Sequence, residues 1–136
     1  CLLKEETFCR EKLEAYLENY LYTPYLWGGK SNFATDCSGF TQSIFKMFGI
    51  RLSRDASQQF MQGNTVASLN EAKAGDLAFF SNNAGKIVHV GILLSKDSIV
   101  HASAYVRLDK IDAKGIFRVE DGVYSHSLKQ IRRFFI

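Results

Sequence analysis

Apolar residues recur every three or four positions between Glu5 and Leu21, and charged residues fill most of the positions between them. One face of a helix with this spacing would be apolar and the other polar. The pattern therefore predicts an amphipathic helix over Glu5–Leu21. Its apolar positions are Cys9, Leu13, Tyr16, Leu17, Tyr20 and Leu21.

A second helix is predicted to begin at Cys37, after a loop rich in turn-forming residues. This loop covers Thr23–Asp36 and contains the only proline of the chain and two adjacent glycines. Thr35 or Asp36 would cap the free amides at the start of the helix, and Gly49 would end it. The apolar stripe of this helix would face the core.

The remainder of the chain changes from helical to strand-like spacing. A short helix is predicted over Arg54–Met61, with Ser53 as its cap, and short apolar or alternating runs follow from Gly75 onward. The predicted strands are Asp76–Phe80, Ile87–Leu94, Ser98–Ser103, Tyr105–Leu108 and Gln130–Ile136. Helices followed by strands indicate an α+β fold, with N-terminal helices packed on a mostly antiparallel sheet of five to six strands.

The composition is that of one folded domain covering residues 1–136, with 46% hydrophobic residues and eleven phenylalanines. Seventeen basic and 14 acidic residues give a net charge of +3, which is too small and too scattered to indicate a nucleic-acid surface. No apolar stretch reaches the roughly 18 residues of a membrane-spanning helix. Neither nucleic acid nor a transmembrane segment is therefore predicted.

Cys37 is the cysteine whose position suggests chemistry. Cys1, Cys9 and Cys37 show no spacing typical of a disulfide framework or a zinc site, so no cofactor is predicted. The free amides and the dipole at a helix start favour an anion, which would lower the pKa of the Cys37 thiol. A buried packing cysteine is the alternative interpretation when Cys37 is considered alone.

Two histidines in neighbouring predicted strands supply a base and a partner for that base. Ser95-Lys96-Asp97 is a turn sequence, and pairing of Leu94 with Ser98 would place Gly91 opposite His101. Alternation along the first strand puts Ile87, His89, Gly91 and Leu93 on one face. His89 and His101 would then be diagonal neighbours on one face of the sheet, with room beside Gly91. His126 is interpreted as a solvated loop residue outside the site.

Five motifs occur in an order that resembles the NlpC-type bacterial cell-wall cysteine peptidases, over roughly Tyr20–Ile136. They are Tyr25-Leu26-Trp27-Gly28-Gly29, Asp36-Cys37-Ser38-Gly39-Phe40, Gly75-Asp76-Leu77, His89-Val90-Gly91 and His101-Ala102-Ser103. The resemblance implies a papain-like fold and hydrolysis of peptide bonds in peptidoglycan stem peptides, most often between γ-linked D-glutamate and diaminopimelate or lysine. It also implies that Cys37 attacks, His89 acts as base and acid, and His101 orients His89.

The same resemblance suggests residues that contact the substrate. The hydroxyl of Tyr25 and the backbone amide of Cys37 would stabilise the oxyanion or hold the substrate. Asp36 and Ser38 would contact the diamino acid or the D-glutamate. Arg54 and Ser57 would lie near the groove, where Arg54 would meet a carboxylate.

Other functions share parts of this pattern. A γ-D-glutamyl-diamino-acid endopeptidase subgroup is suggested by the stretch Gly115–Arg133, and members of that subgroup carry upstream SH3-like domains that are absent from these residues. The alternatives within enzymes are a cross-link endopeptidase, an amidase or an acyltransferase on a related fold. The alternatives of another class are a Cys/His zinc-binding module and a catalytically silent wall-binding domain. A cell-envelope location is expected, as a periplasmic, secreted or lipid-anchored protein.

Overall fold

The computed structural model describes residues 10–18, 36–103, 105–118 and 122–134. The helices in these stretches are α1 (Arg10–Glu18), α2 (Cys37–Met47) and α3 (Ala56–Phe60), with a short 3₁₀ helix at Leu69–Glu71. The strands are β1 (Asn64–Val66), β2 (Leu77–Ser81), β3 (Ile87–Leu93), β4 (Ser98–Ser103), β5 (Tyr105–Asp112), β6 (Gly115–Arg118) and β7 (Val123–Arg133). None of the helices in the described stretches has the length and apolar character needed to span a lipid bilayer.

The strands form one antiparallel sheet that closes on itself. Its order is β1-β7-β2-β3-β4-β5-β6, and β7 also pairs with β6. The closure is possible because β7 is eleven residues long and its register shifts against both β2 and β6. Six strands therefore make a small barrel, and β1 extends the sheet on the outside of β7.

The predicted α+β class and antiparallel sheet are confirmed, but the predicted number of strands is too low. The strands β1 and β6 have only three and four residues, which is too short for alternation to be recognised in the sequence. The last strand begins at Val123 instead of Gln130. Its first half is polar, and pairing with β6 holds it in the sheet, with Gly115 opposite Ser127.

Two apolar clusters lie on the two faces of this sheet. Along β2, Leu77 and Phe79 pack toward the helices, whereas Ala78 and Phe80 pack into the barrel, as strand alternation requires. The helix-side core contains Leu13, Leu17, Cys37, Phe40, Ile44, Phe45, Phe48, Leu52, Ala56, Leu77, Phe79, Ile87, Val90, Ile92, Val100, Ala102 and Val106. The barrel core contains Val66, Ala78, Phe80, Leu93, Ile99, Ile111, Ile116 and Ile131.

The helix starts and ends follow local chemistry. As predicted, α2 begins at Cys37, and the Asp36 carboxylate accepts a hydrogen bond of 2.7 Å from the amide of Gly39. Gly49 follows α2 with a φ of 78°, a conformation that favours glycine. The predicted cap of α3 is wrong: Asp55, not Ser53, is the N-cap. The first hydrogen-bonded amides of the helix, those of Gln58 and Gln59, donate to the carbonyl of Asp55, so Ser53 lies before the helix.

Two of the predictions concern segments that are described only in part or not at all. The helix predicted over Glu5–Leu21 is described only for Arg10–Glu18, where it is helical. The predicted loop Thr23–Asp36 lies outside the described residues apart from Asp36.

The motif Gly75-Asp76-Leu77 has a structural explanation. The fully buried Asp76 carboxylate receives two hydrogen bonds of 2.7 Å from Arg133, one to each oxygen, and one of 2.8 Å from the amide of Lys73. A charged pair that is also hydrogen-bonded can be buried without a large penalty. This contact ties the start of β2 to the end of β7.

Candidate active site

The thiol of Cys37 lies where the start of α2 meets β3. Cys37 is the first residue of the helix, is 8% exposed and belongs to the helix-side core. Its sulfur accepts a hydrogen bond from the backbone amide of Val90, the residue that follows His89. The fold therefore places the predicted nucleophile beside the strand that carries the predicted base.

The prediction that the helix start lowers the pKa of this thiol is wrong. Burial raises the pKa of Cys37 to about 11, and the nearby carboxylate of Asp36 raises it further. The amides of Val90, Ser38 and Cys37 itself lower the pKa but do not outweigh the loss of solvation. The free protein thus holds a neutral thiol at neutral pH.

The two histidines meet as the predicted hairpin register requires. Gly91 lies opposite His101, and the Nε2 atom of His89 is 2.9 Å from the Nδ1 atom of His101. A Cβ atom added at Gly91 would lie 2.9 Å from the Cβ of His101 and 2.7 Å from the Cδ1 of Ile99. As predicted, the missing side chain of Gly91 leaves room for His101, and Ile99 uses the same space.

One detail of the predicted alternation in β3 is wrong. Ile87 packs in the helix-side core, whereas Leu93 packs in the barrel core. The register between β2 and β3 shifts after the pair Phe80–His89, so that Ser81 lies opposite Ile87. This irregularity is a β-bulge, which reverses the side-chain direction beyond it.

A carboxylate and a guanidinium that were not predicted complete the group behind His101. The Nε2 atom of His101 is 2.8 Å from the Oδ2 atom of Asp109. The Nε atom of Arg107 is 2.8 Å from the same oxygen, and its second terminal nitrogen donates to Oδ1 at 3.2 Å. The sequence contained a partial signal, since Asp109, Arg107 and His101 lie on alternating positions of paired strands, but the predicted strand ended at Leu108.

Burial and hydrogen bonding set the charges of this group. Burial lowers the pKa of His89, and the neighbouring His126 and His101 lower it further. Burial also lowers the pKa of His101, and the hydrogen bond to Asp109 offsets this effect only in part. Burial alone would raise the pKa of Asp109, but hydrogen bonds from His101 and Arg107 outweigh it and the pKa is lowered. Two neutral imidazoles and one carboxylate are therefore expected at neutral pH.

His126 is not the solvated loop residue that its polar neighbours suggested. It lies in β7, and its ring stacks on the ring of His89 with 4.0 Å between centroids and 20° between planes. Its Nδ1 atom is 2.8 Å from the hydroxyl oxygen of Ser125, and burial lowers its pKa to about 4. His126 is part of a strand because the polar first half of β7 pairs with β6. This half of the strand has no apolar alternation from which it could be predicted.

The three imidazoles do not have the geometry of a metal site. One ring nitrogen from each of His89, His101 and His126 lies within 4.8 Å of the others. The lone pairs of imidazole lie in the ring plane, so the nearly parallel rings of His89 and His126 direct them side by side and not toward one point. Both nitrogens of His101 are also engaged, by His89 and Asp109. This geometry disfavours a shared zinc ion, which needs converging nitrogens about 2.0–2.1 Å from the metal.

Three of the predicted substrate residues form a polar cluster at the start of α2. The two terminal nitrogens of Arg54 contact the two carboxylate oxygens of Asp36 at 3.1 and 3.0 Å, and one of them donates to the Ser38 hydroxyl at 3.0 Å. Asp36 and Ser38 are buried, whereas the Arg54 side chain is 32% exposed. The member of the cluster that is most accessible to a ligand is thus Arg54.

The other two predicted substrate residues are separate from this cluster or outside the described chain. Ser57 is an exposed residue of α3. Tyr25 lies outside the described residues. Contact of any of these five residues with a substrate stays a prediction.

The chain resembles known proteins in both sequence and fold. A family model described as "NlpC/P60 family" matches residues 22–132. A "Gamma-D-glutamyl-L-lysine dipeptidyl-peptidase" of Bacillus subtilis (strain 168) is 39% identical over 118 residues, which are 85% of this chain and 38% of that protein. The chain therefore spans less than two fifths of this relative.

Solved structures resemble the fold over nearly the whole chain. The crystal structure of an NlpC/P60 family protein from Bacillus cereus has a TM-score of 0.81 and 29% identity, and the match covers 96% of this chain and 41% of that one. The NlpC/p60 domain of the peptidoglycan hydrolase SagA has a TM-score of 0.72 and 27% identity, and the match covers 93% of this chain and 99% of that one.

Proposed function

Because the chain belongs to the NlpC/P60 family, we propose that it is a cysteine peptidase domain that hydrolyses peptide bonds in peptidoglycan stem peptides. The observation that carries the proposal is the position of Cys37. Its thiol lies at a helix start and against the strand of His89, and His89 is hydrogen-bonded to His101 at 2.9 Å. A nucleophile, a base and a partner that orients the base are the parts that acyl transfer needs.

The protonation states suggest how the reaction begins. Thiol and imidazole are both neutral in the free protein, because burial raises the pKa of Cys37 to about 11 and lowers that of His89. The proton of the thiol would therefore move to His89 as the sulfur attacks the carbonyl carbon. His89 would then return this proton to the leaving amine, and water would hydrolyse the resulting thioester.

Among the residues that the structure describes, the backbone amide of Cys37 is a candidate for stabilising the oxyanion, because an amide at a helix start has no partner within the helix. The predicted role of the Tyr25 hydroxyl is kept as part of the proposal. Together these donors would bind the negative charge that develops on the carbonyl oxygen.

We propose the bond between γ-linked D-glutamate and the following diamino acid, lysine or diaminopimelate, as the site of cleavage. The name of the Bacillus subtilis relative, 39% identical, supports this bond class. The Arg54 cluster lies next to the nucleophile and offers a guanidinium, which suits the free carboxylate of the D-glutamyl residue. A wall substrate also agrees with the proposed location in the cell envelope, where an additional wall-binding domain would act as partner.

The decisive experiment is the Cys37→Ala variant, assayed on L-Ala-γ-D-Glu-L-Lys and on its diaminopimelate counterpart. Product analysis by mass spectrometry should show L-Ala-γ-D-Glu and the free diamino acid with the wild type and no product with the variant. The Cys1→Ala variant is the matched control and should keep its activity. Full activity of Cys37→Ala would refute the proposal, and release of other fragments would instead support an amidase or a cross-link endopeptidase.

A further inference from the structure

Behind the proposed base, an unbroken line of hydrogen bonds leads to a buried acid. The Nε2 atom of His89 is 2.9 Å from Nδ1 of His101, and Nε2 of His101 is 2.8 Å from Oδ2 of Asp109. The side chains of His101 and Asp109 are only 1% and 2% exposed. Water therefore has little access to His101, and both of its ring nitrogens must find their partners within this line.

Asp109 can only accept a hydrogen bond from His101. Arg107 places two nitrogens at 2.8 and 3.2 Å from its two oxygens, and arginine stays charged in proteins. A carboxylate held by a guanidinium remains ionised and has no proton to donate. The Nε2 atom of His101 must therefore carry the hydrogen of the bond to Asp109.

The position of the hydrogen on His101 in turn determines the position of the hydrogen on His89. A neutral imidazole has one hydrogen, so the Nδ1 atom of His101 has none and must accept. The Nε2 atom of His89 then donates to it, and the Nδ1 atom of His89 is left without a hydrogen. That atom is the one able to take the thiol proton.

We propose that Asp109, held in place by Arg107, is a positioning residue that sets the tautomers of His101 and His89 and thereby keeps Nδ1 of His89 free to act as the base. The inference rests on the proposed peptidase function, which it deepens. Asp109 would also act later in the reaction. Once His89 holds the thiol proton, the carboxylate stabilises the resulting positive charge through His101.

The test is the Asp109→Asn variant, which keeps the shape of the side chain but can offer an amide hydrogen to His101. That donor would favour the opposite tautomer of His101 and, through it, a hydrogen on Nδ1 of His89. We expect kcat to fall about 100-fold with little change in KM, less than the ~10⁴-fold loss when a carboxylate directly behind a catalytic histidine is replaced. Asp112→Asn is the matched control because Asp112 lies on the same strand, is exposed and bonds to Tyr124. It should keep the wild-type kcat.

A readout that does not depend on activity is the ¹⁵N NMR spectrum of the imidazoles. The wild type should show His89 and His101 both protonated at Nε2, and Asp109→Asn should shift both toward Nδ1–H. If wild-type His101 carries its hydrogen on Nδ1, or if Asp109→Asn retains both kcat and tautomers, the inference is overturned. The wild-type spectrum alone decides which nitrogen of His101 carries the hydrogen, so the test remains valid even if the variant folds poorly.

The two proposals fail in different ways. A wild type that cleaves no stem peptide but shows the Nε2–H tautomers would refute the proposed function and leave the role of Asp109 in the tautomers supported. An active wild type with the opposite tautomers would refute only the role of Asp109.

Discussion

The reactive groups on the two faces of the sheet are both buried but differ in their hydrogen bonding. On the helix side, Cys37 is surrounded by apolar residues such as Phe40 and Val90, and burial keeps its thiol protonated. On the barrel side, His101 is just as buried but is hydrogen-bonded at both ring nitrogens. At Cys37 the hydrogen bonds from backbone amides do not offset burial, so the thiol stays neutral, whereas at His101 two side-chain hydrogen bonds hold the ring that orients the base. The thiol would react only at β3, because this strand contacts Cys37 through Val90 and carries His89.

The largest expected effect concerns the protonation of the thiol. Because the pKa of Cys37 is raised to about 11, its thiolate fraction should rise with pH throughout the neutral and mildly alkaline range. The rate of alkylation of Cys37 by iodoacetamide should therefore increase roughly tenfold per pH unit from pH 7 to pH 10. Mass spectrometric mapping of the modified peptide would separate Cys37 from the other cysteines.

The unfolded protein serves as the control for that measurement, since its thiols should titrate near pH 8.5. A rate that is already constant from pH 6 upward would show a preformed thiolate–imidazolium pair. The contrast between the two faces of the sheet would then be lost, because both would hold charged groups at rest.

A smaller effect is expected from a substitution that adds a side chain where β3 packs against β4. Gly91→Ala would place a Cβ atom 2.9 Å from that of His101 and 2.7 Å from Ile99, so both side chains must shift. We expect a loss of about 1–3 kcal/mol in the free energy of unfolding. We also expect a lower kcat, because the 2.9 Å contact between His89 and His101 depends on this register.

Chemical denaturation and steady-state kinetics would check both effects. Gly85→Ala is a useful control, because its Cβ would meet nothing within 4 Å, although its φ of 83° adds some strain of its own. Wild-type kcat in Gly91→Ala would show that the barrel side tolerates displacement of His101.

The smallest expected effect concerns the stacking of His126 on His89. His126→Ala removes a ring stacked at 4.0 Å and should lower kcat/KM about 2- to 10-fold, in keeping with the ~0.5–1.5 kcal/mol typical of an aromatic pair. His126→Phe retains a flat ring and should recover most of the loss. If Phe were no better than Ala, the ring nitrogens of His126 and not its stacking would support the activity. His126 would then be a further polar residue of the site.

The parts of the molecule that were predictable are those in which neighbours in sequence are also neighbours in space. The cap at Asp36, the start of α2 at Cys37 and the pairing of Gly91 with His101 depend on a helix turn or a short hairpin, and all three are confirmed. Asp109 and His126 belong to the same site but were missed. Asp109 lies beyond Leu108, where the predicted strand ended, although β5 pairs directly with β4. The strand of His126 reaches the site through barrel closure, which alternation within a single segment does not reveal.

By itself, the amino-acid sequence determined the α+β class, the family motifs and the choice of one thiol and two histidines as candidates for the site. Each of these follows from residue type, local spacing or turn chemistry. The tertiary structure alone decided the charges. The high pKa of Cys37 follows from desolvation, and the ionised state of Asp109 follows from hydrogen bonds with His101 and Arg107 that outweigh its burial. The stacking of His126 on His89 depends on contact between strands that are distant in sequence. Solvation is a property of the packed molecule, so no segment carries it before the barrel closes.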